Sequence, residues 1–161
     1  MQTVEPKPHK AKIAIGCDHA GFEMKEELKK FSKDTGYEYK DFGTNSSEST
    51  DYPIYGRAVS EAVASGECDR GIVICGTGIG ISIAANKTPG IRAGACYNTD
   101  MARIAREHND TNVLALGARI TAIPLAMDIV RAWLETEFSH GERHIRRIDE
   151  ITEIEQLLCE R

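Results

Sequence analysis

The stretch Gly71-Ile72-Val73-Ile74-Cys75-Gly76-Thr77-Gly78-Ile79-Gly80-Ile81-Ser82 runs from a β-branched apolar segment straight into a turn with three alternating glycines. A short β-branched run reads as a buried strand, and glycines let the backbone turn sharply and approach a ligand closely. The end of the strand is then a pocket. A helix starting near Ile79 would aim its unpaired N–H groups and positive dipole end at that pocket, which favours an anion. Cys75 stands at the same edge, where a thiol can fall below its free pKa of roughly 8.5 and serve as base or nucleophile. The alternative for Cys75 is a buried small hydrophobe, the reading taken for Cys17 and Cys96 at comparable strand ends.

Outward from this turn, apolar runs at 13–17 and 37–42 read as strands on either side of a helical period over 22–33, where Phe22, Leu28 and Phe31 recur. A second helix is predicted over 52–65, with Pro53 suited to its start and Gly66 to its end. On the other side come a helix to about Asn86, strands at 91–96 and 112–116, and a helix over 100–107 between them. Helices over 123–136 and 142–158 close the chain, with a break at 139–141. Strands alternating with helices predict right-handed crossovers and a doubly wound, Rossmann-like three-layer α/β/α fold on a five-stranded parallel sheet. Ligands of such sheets sit beyond the carboxyl ends of the strands. Those ends carry Cys17-Asp18-His19, Cys75 with its turn, Cys96-Tyr97-Asn98 and Gly117-Ala118-Arg119.

A chain of 161 residues suits a single domain, placed here over 12–161, with 1–11 and its Pro6 and Pro8 read as a flexible extension. Apolar content of 41% with 28% charged residues is that of an ordinary globular protein, and a net charge of -5 speaks against nucleic-acid binding. The five cysteines are odd in number, scattered and without metal-ligand spacing, which points to a reducing, cytoplasmic setting and no metal. No stretch approaches the roughly 18 apolar residues of a membrane span, and the N-terminus lacks the apolar core of a signal peptide.

Familiar phosphate motifs fail on spacing. A P-loop would need lysine after a second glycine, but Ile81 and Ser82 stand there, and the glycines run GxGxG after the third strand, where a dinucleotide fingerprint needs GxGxxG after the first. A tyrosine-phosphatase loop would place arginine where Ile81 is. A small phosphorylated ligand is the remaining expectation. Asp18-His19 reads equally as a helix cap or a ligand contact, and His108-Asn109-Asp110 as a helix terminus or a site. Arg143 and Arg147, four apart, share a helix face that either clamps a phosphate or is simply solvated; His144 and Arg146 add to the local positive charge.

Taken together, GCDHAG at 16–21, SSESTDYP at 46–53, ICGTGIGISIAANK at 74–87, GIRAG at 90–94, HNDTNVLALGAR at 108–119 and GERHIRRI at 141–148 resemble the RpiB/LacAB sugar-phosphate isomerases, the ribose-5-phosphate isomerase B family, over most of the chain. The resemblance implies interconversion of an aldose and a ketose phosphate, principally D-ribose 5-phosphate and D-ribulose 5-phosphate, with no cofactor. A six-carbon sugar phosphate such as allose 6-phosphate or galactose 6-phosphate is the nearest alternative, and a non-catalytic phosphate-binding module a more distant one. By similarity, Cys75 is the base, Thr77 and the turn of Gly76, Gly78, Ile79 and Gly80 line the site and hold the oxyanion, and His108 opens the sugar ring with Asp18 assisting. Tyr52 lines the cleft and Asn109 holds a hydroxyl, while His19, Arg119, Arg143, His144 and Arg147 hold the phosphate. The resemblance further implies a homodimer, sometimes a tetramer, in which the C-terminal helix docks on the partner and His108, Asn109 and part of the arginine set serve the partner's site.

Overall fold

The computed structural model describes residues 9–161, so most of the extension predicted over 1–11 lies outside the described residues. The elements are β1 (Ile13–Cys17), α1 (Phe22–Thr35), β2 (Tyr39–Asp41), α2 (Tyr52–Ala64), β3 (Arg70–Cys75) and α3 (Ile79–Ala85), followed by β4 (Ala93–Ala95), α4 (Thr99–Glu107), β5 (Val113–Gly117), α5 (Ile123–Glu135) and α6 (Glu142–Cys159). A single 3-10 turn, His19–Gly21, links β1 to α1. Every strand pair is parallel, and the order across the sheet is β2-β1-β3-β5-β4.

Side chains of successive strand residues point to opposite faces, so each central strand feeds two cores. Ile13, Ile15, Ile72, Ile74, Leu114 and Leu116 pack with Met24 and Leu28 of α1, Ala102 of α4, and Ile129 and Trp133 of α5. On the other face Ala14, Val73, Cys75, Val113 and Ala115 pack with Val59, Ala62 and Val63 of α2 and Ile81 and Ala85 of α3. The second face is lined by smaller residues and α2 lies correspondingly close. A Cβ on Gly71 would stand 2.6 Å from a Val59 methyl, and one on Gly16 2.7 Å from the other.

The two outer strands are shorter than their apolar runs predict. Their flanking amides are used elsewhere: Tyr37 N–H donates to Ser32 O at the end of α1, Ile91 N–H to Thr88 O, and Arg92 N–H to the Asn112 side chain. Of the described helices none is long and apolar enough to cross a membrane. Helix α6 stands apart from both cores. His144 is its one buried residue, and Glu155 reaches back to accept the Gly90 N–H at 3.0 Å.

Candidate active site

Because β2 lies on one side of β1 and β3 on the other, the sheet reverses its winding between β1 and β3, the switch point at which ligands bind such folds. Asp18 and Cys75 both stand there. Asp18 N–H donates to Ile74 O at 3.1 Å, while its Oδ1 accepts from Ala20 N–H at 3.0 Å and Gly21 N–H at 3.3 Å. The cap reading of Asp18 is therefore realised, and the cap holds the carboxylate at the strand end. Cys75 is 4% exposed, and its Sγ accepts the Gly78 N–H at 3.2 Å. The turn can form because Gly78 adopts φ 78°, a left-handed conformation that costs glycine little.

Two side chains lie directly on this turn. A Cβ on Gly80 would be 2.6 Å from the Tyr52 ring, and one on Gly76 3.3 Å from the Arg119 guanidinium arm. Arg119 is brought there by backbone bonds from Ala118 N–H to Cys75 O and from Arg119 N–H to Gly76 O. Thr77 Oγ1 accepts from Ile79 N–H at 3.2 Å. His19 is seated by Thr50, whose N–H donates to Nδ1 at 3.2 Å, and Thr50 in turn bonds the Tyr55 hydroxyl at 3.0 Å. Asp18, His19, Tyr52, Cys75, Thr77 and Arg119 are thus gathered at the carboxyl end of the central strands.

Thr50, Tyr55 and Tyr97 are supporting residues that the sequence does not single out. Tyr97 donates its hydroxyl to Thr77 O at 2.9 Å, and burial, then the nearby Cys75 and Cys96, raise its pKa and keep it a donor. The one hint for Tyr97 is its place at the carboxyl end of the fourth strand. Cys17 and Cys96 are core residues: burial pushes the Cys17 thiol up to about 12 and that of Cys96 to about 11.

The remaining site residues form a second cluster elsewhere. His108 follows α4 and its ring stacks on His144 of α6, with centroids 4.1 Å apart and planes at 13°. Arg143 Nε donates to His144 Nε2 at 3.4 Å, and Arg147 stands one helical turn further along α6. Burial, followed by the neighbouring His108, Arg143 and Arg147, lowers the His144 pKa from 6.5. Asn109 offers its carbonyl to Arg92 Nε at 2.9 Å. This cluster precedes Val113 at the start of β5, whereas Cys75 pairs with Gly117 at its end. Along a strand, that separation is about 13 Å. Within one chain the imidazoles of His108 and His144 are not part of the Cys75 edge. Among the described residues no group of three or more His, Cys, Asp or Glu is arranged to hold a metal ion.

Fold and site define a doubly wound α/β protein with a thiol in a glycine turn at the switch point of its sheet. Residues 13–151 match the family model described as Ribose/Galactose Isomerase, and the chain belongs to that family. It is 54% identical over 145 residues to ribose-5-phosphate isomerase B of Escherichia coli, covering 90% of this chain and 97% of that one. The structure of Clostridium thermocellum ribose-5-phosphate isomerase B superposes with a TM-score of 0.90 at 60% identity, covering 91% and 99% of the two chains. Ribose-5-phosphate isomerase B of Mycoplasma genitalium, solved with ribulose-5-phosphate bound, superposes with a TM-score of 0.87 at 35% identity, covering 92% and 99%.

Proposed function

We propose that this chain interconverts D-ribose 5-phosphate and D-ribulose 5-phosphate as a cytoplasmic homodimer, with no metal or organic cofactor. One observation carries the reading: Cys75 Sγ receives the Gly78 N–H at the switch point, in a turn overlaid by Tyr52 and Arg119. The chemistry requires ring opening, removal of a proton beside a carbonyl, and its return to the neighbouring carbon. His108 of the partner subunit, with Asp18 alongside, moves the proton of the anomeric hydroxyl to the ring oxygen as the bond between C1 and that oxygen breaks and the C1 carbonyl forms. The Cys75 thiolate then takes the C2 proton, and the electron pair moves through C1–C2 to the carbonyl oxygen. Thr77 and the N–H groups of the turn hold the resulting enediolate oxygen. The sulfur returns its proton to C1 while the proton of the C2 hydroxyl passes to the enediolate oxygen on C1, leaving a C1 hydroxyl and the C2 ketone.

Tyr52 lines the cleft and Asn109 holds a sugar hydroxyl. The phosphate is taken by His19, Arg119, Arg143, His144 and Arg147, the arginines offering forked donors suited to a phosphate. A homodimer is supported by the separation of the two clusters, since a symmetric pair gives each Cys75 edge the His108 end of its partner. It is also supported by a groove of about 760 Å³ between the edge strand β4, α4 and α6, with Met101, Ile104, Ile151, Ile154 and Leu158 among its walls. The cytoplasmic assignment draws on five free cysteines.

A coupled assay run with chelator present should register turnover of ribose 5-phosphate well above that of allose 6-phosphate or galactose 6-phosphate. Cys75→Ala should lose about 10²–10⁴ of this rate with substrate binding largely kept. A preference for a six-carbon sugar would reassign the substrate, and full turnover in Cys75→Ala would remove the thiol from the mechanism.

A further inference from the structure

The turn that follows α4 is held by more charge than a helix end requires. Asp110 adopts φ 44°, a left-handed conformation uncommon outside glycine, although aspartate and asparagine tolerate it better than most. Its carboxylate lies between two guanidinium groups, Arg106 Nη1 at 2.8 Å and Arg92 Nη2 at 3.4 Å. The Arg106 side chain is only 6% exposed, so its charge needs an anion and filled donors. It finds both: besides Asp110 it donates to Thr111 O at 2.6 Å and to Thr136 O, beyond α5, at 3.2 Å.

Arg92, from the segment entering β4, donates to two successive carbonyls, Asn109 O and Asp110 O, each at 2.9 Å. Trp133 of α5 fixes the next residue, its Nε1–H donating to Thr111 Oγ1 at 2.9 Å. Three elements therefore converge on residues 109–111 (α4, the entrance to β4, and α5), and the segment's own carboxylate is the common partner of the first two. What this assembly holds in place is Asn109 itself and His108 just before it.

We infer that Asp110 is a positioning residue for ring opening: with Arg92 and Arg106 as struts, its carboxylate fixes the turn that aims His108 and Asn109 at the partner's sugar. The inference rests on the proposed role of His108. It assigns Asp110 no contact with substrate.

The two substrates make this separable from a general loss of stability. Ribose 5-phosphate closes to a furanose and must be opened. Ribulose 5-phosphate is acyclic, because its C5 oxygen carries the phosphate, and the aldehyde formed from it can leave the enzyme open and close in solution. A defect confined to ring opening therefore slows initial rates from the aldose and spares those from the ketose. Asp110→Gly keeps a left-handed backbone without strain and deletes the carboxylate. Asp110→Asn keeps one acceptor oxygen. Both are compared with His108→Ala by initial rates in the two directions, alongside thermal unfolding and oligomeric state.

Asp110→Gly should lose about tenfold or more from ribose 5-phosphate, the scale of a small misplacement of a catalytic group, while staying within about twofold from ribulose 5-phosphate. Asp110→Asn should fall between it and the parent. Should Asp110→Gly fail to fold, Asp110→Asn decides by the same asymmetry. If His108→Ala is asymmetric and the Asp110 variants that fold lose both directions equally, or neither, Asp110 does not position the ring-opening group. If His108→Ala is itself symmetric, the role of His108 falls and this inference falls with it.

Discussion

The two ends of the sheet hold their functional groups by different means. At the Cys75 end the contacts that fix the turn start from backbone N–H groups: Ala118 N–H to Cys75 O, Arg119 N–H to Gly76 O, and Gly78 N–H onto the sulfur itself. At the His108 end they are made by side-chain charge, with Arg92 and Arg106 around Asp110, and by an imidazole stack on α6, a helix with a single buried residue. The thiol is thus placed by topology. The imidazole is placed by ion pairs and by a helix whose apolar side chains Ile151, Ile154 and Leu158 face a groove. One end is finished in the single chain, and in the proposed homodimer the other would complete the partner's site.

The sharpest way to break this comparison is to disable one end in each of two chains. Cys75→Ala and His108→Ala homodimers should each be nearly inactive toward ribose 5-phosphate. Mixed and allowed to exchange subunits, they should recover about one quarter of the parent activity, since half the dimers are mixed and each mixed dimer has one intact site of two. Recovery is read from the rate before and after mixing under exchange conditions. No recovery, once mixed dimers are demonstrated by mass spectrometry, would place both groups in the same chain's site and contradict the division drawn here.

A smaller effect tests the claim that the Cys75 end is built by backbone proximity. A Cβ on Gly117 would stand 2.6 Å from Thr77 O and 2.7 Å from the Ile120 side chain. A carbonyl in that turn cannot rotate away without moving Thr77. Gly117→Ala should therefore cost about 1–3 kcal/mol in unfolding free energy, the usual range for overpacking, and should lower kcat more than it raises KM because the turn itself shifts. Denaturant unfolding and steady-state kinetics measure the two. An unaltered kcat would show that the turn has more freedom than its contacts indicate.

The different construction of the two ends also explains what could be read from the sequence. Central strands and their helices are legible because short continuous apolar runs alternate with segments of helical spacing, and the Cys75 turn because its glycines are local. The outer strands are shorter than their apolar composition predicts, since composition does not reveal that Tyr37 and Ile91 use their amides in turns. The position of β5 between β3 and β4 is a matter of tertiary packing, and so is the bond from Tyr97 to Thr77 O across 20 residues of chain. The charged assembly around Asp110 was hidden for a related reason. Arg92 stands 18 residues away, and a left-handed aspartate looks like any other in a sequence.

The finest distinction between the two ends is their order of response to acid. His144 has its pKa lowered from 6.5 by burial, then by His108, Arg143 and Arg147. The folded chain resists its protonation more than the unfolded chain does, so the stability it contributes is complete above about pH 6.5 and is lost as pH falls through the lower, folded value. The Cys75 end has its own titrating strut, Asp41, which holds the loop before α2 through Gly43 N–H and pairs with Lys25 and Lys29. Burial alone would raise the Asp41 pKa, but Lys25, Gly43 N–H and Lys29 outweigh it and the net shift is below 3.8. Its contribution is present above the unfolded pKa and lost only as pH falls through a still lower value. The His108 end should therefore loosen first. Thermal midpoints followed downward from neutrality should fall gently below about pH 6.5 and again below about pH 4. His144→Gln should flatten the first decline alone, and Asp41→Asn the second alone. If His144→Gln leaves the first decline unchanged, the stack is not the acid-sensitive element, and the contrast between a charge-built end and a backbone-built end loses its support in solution.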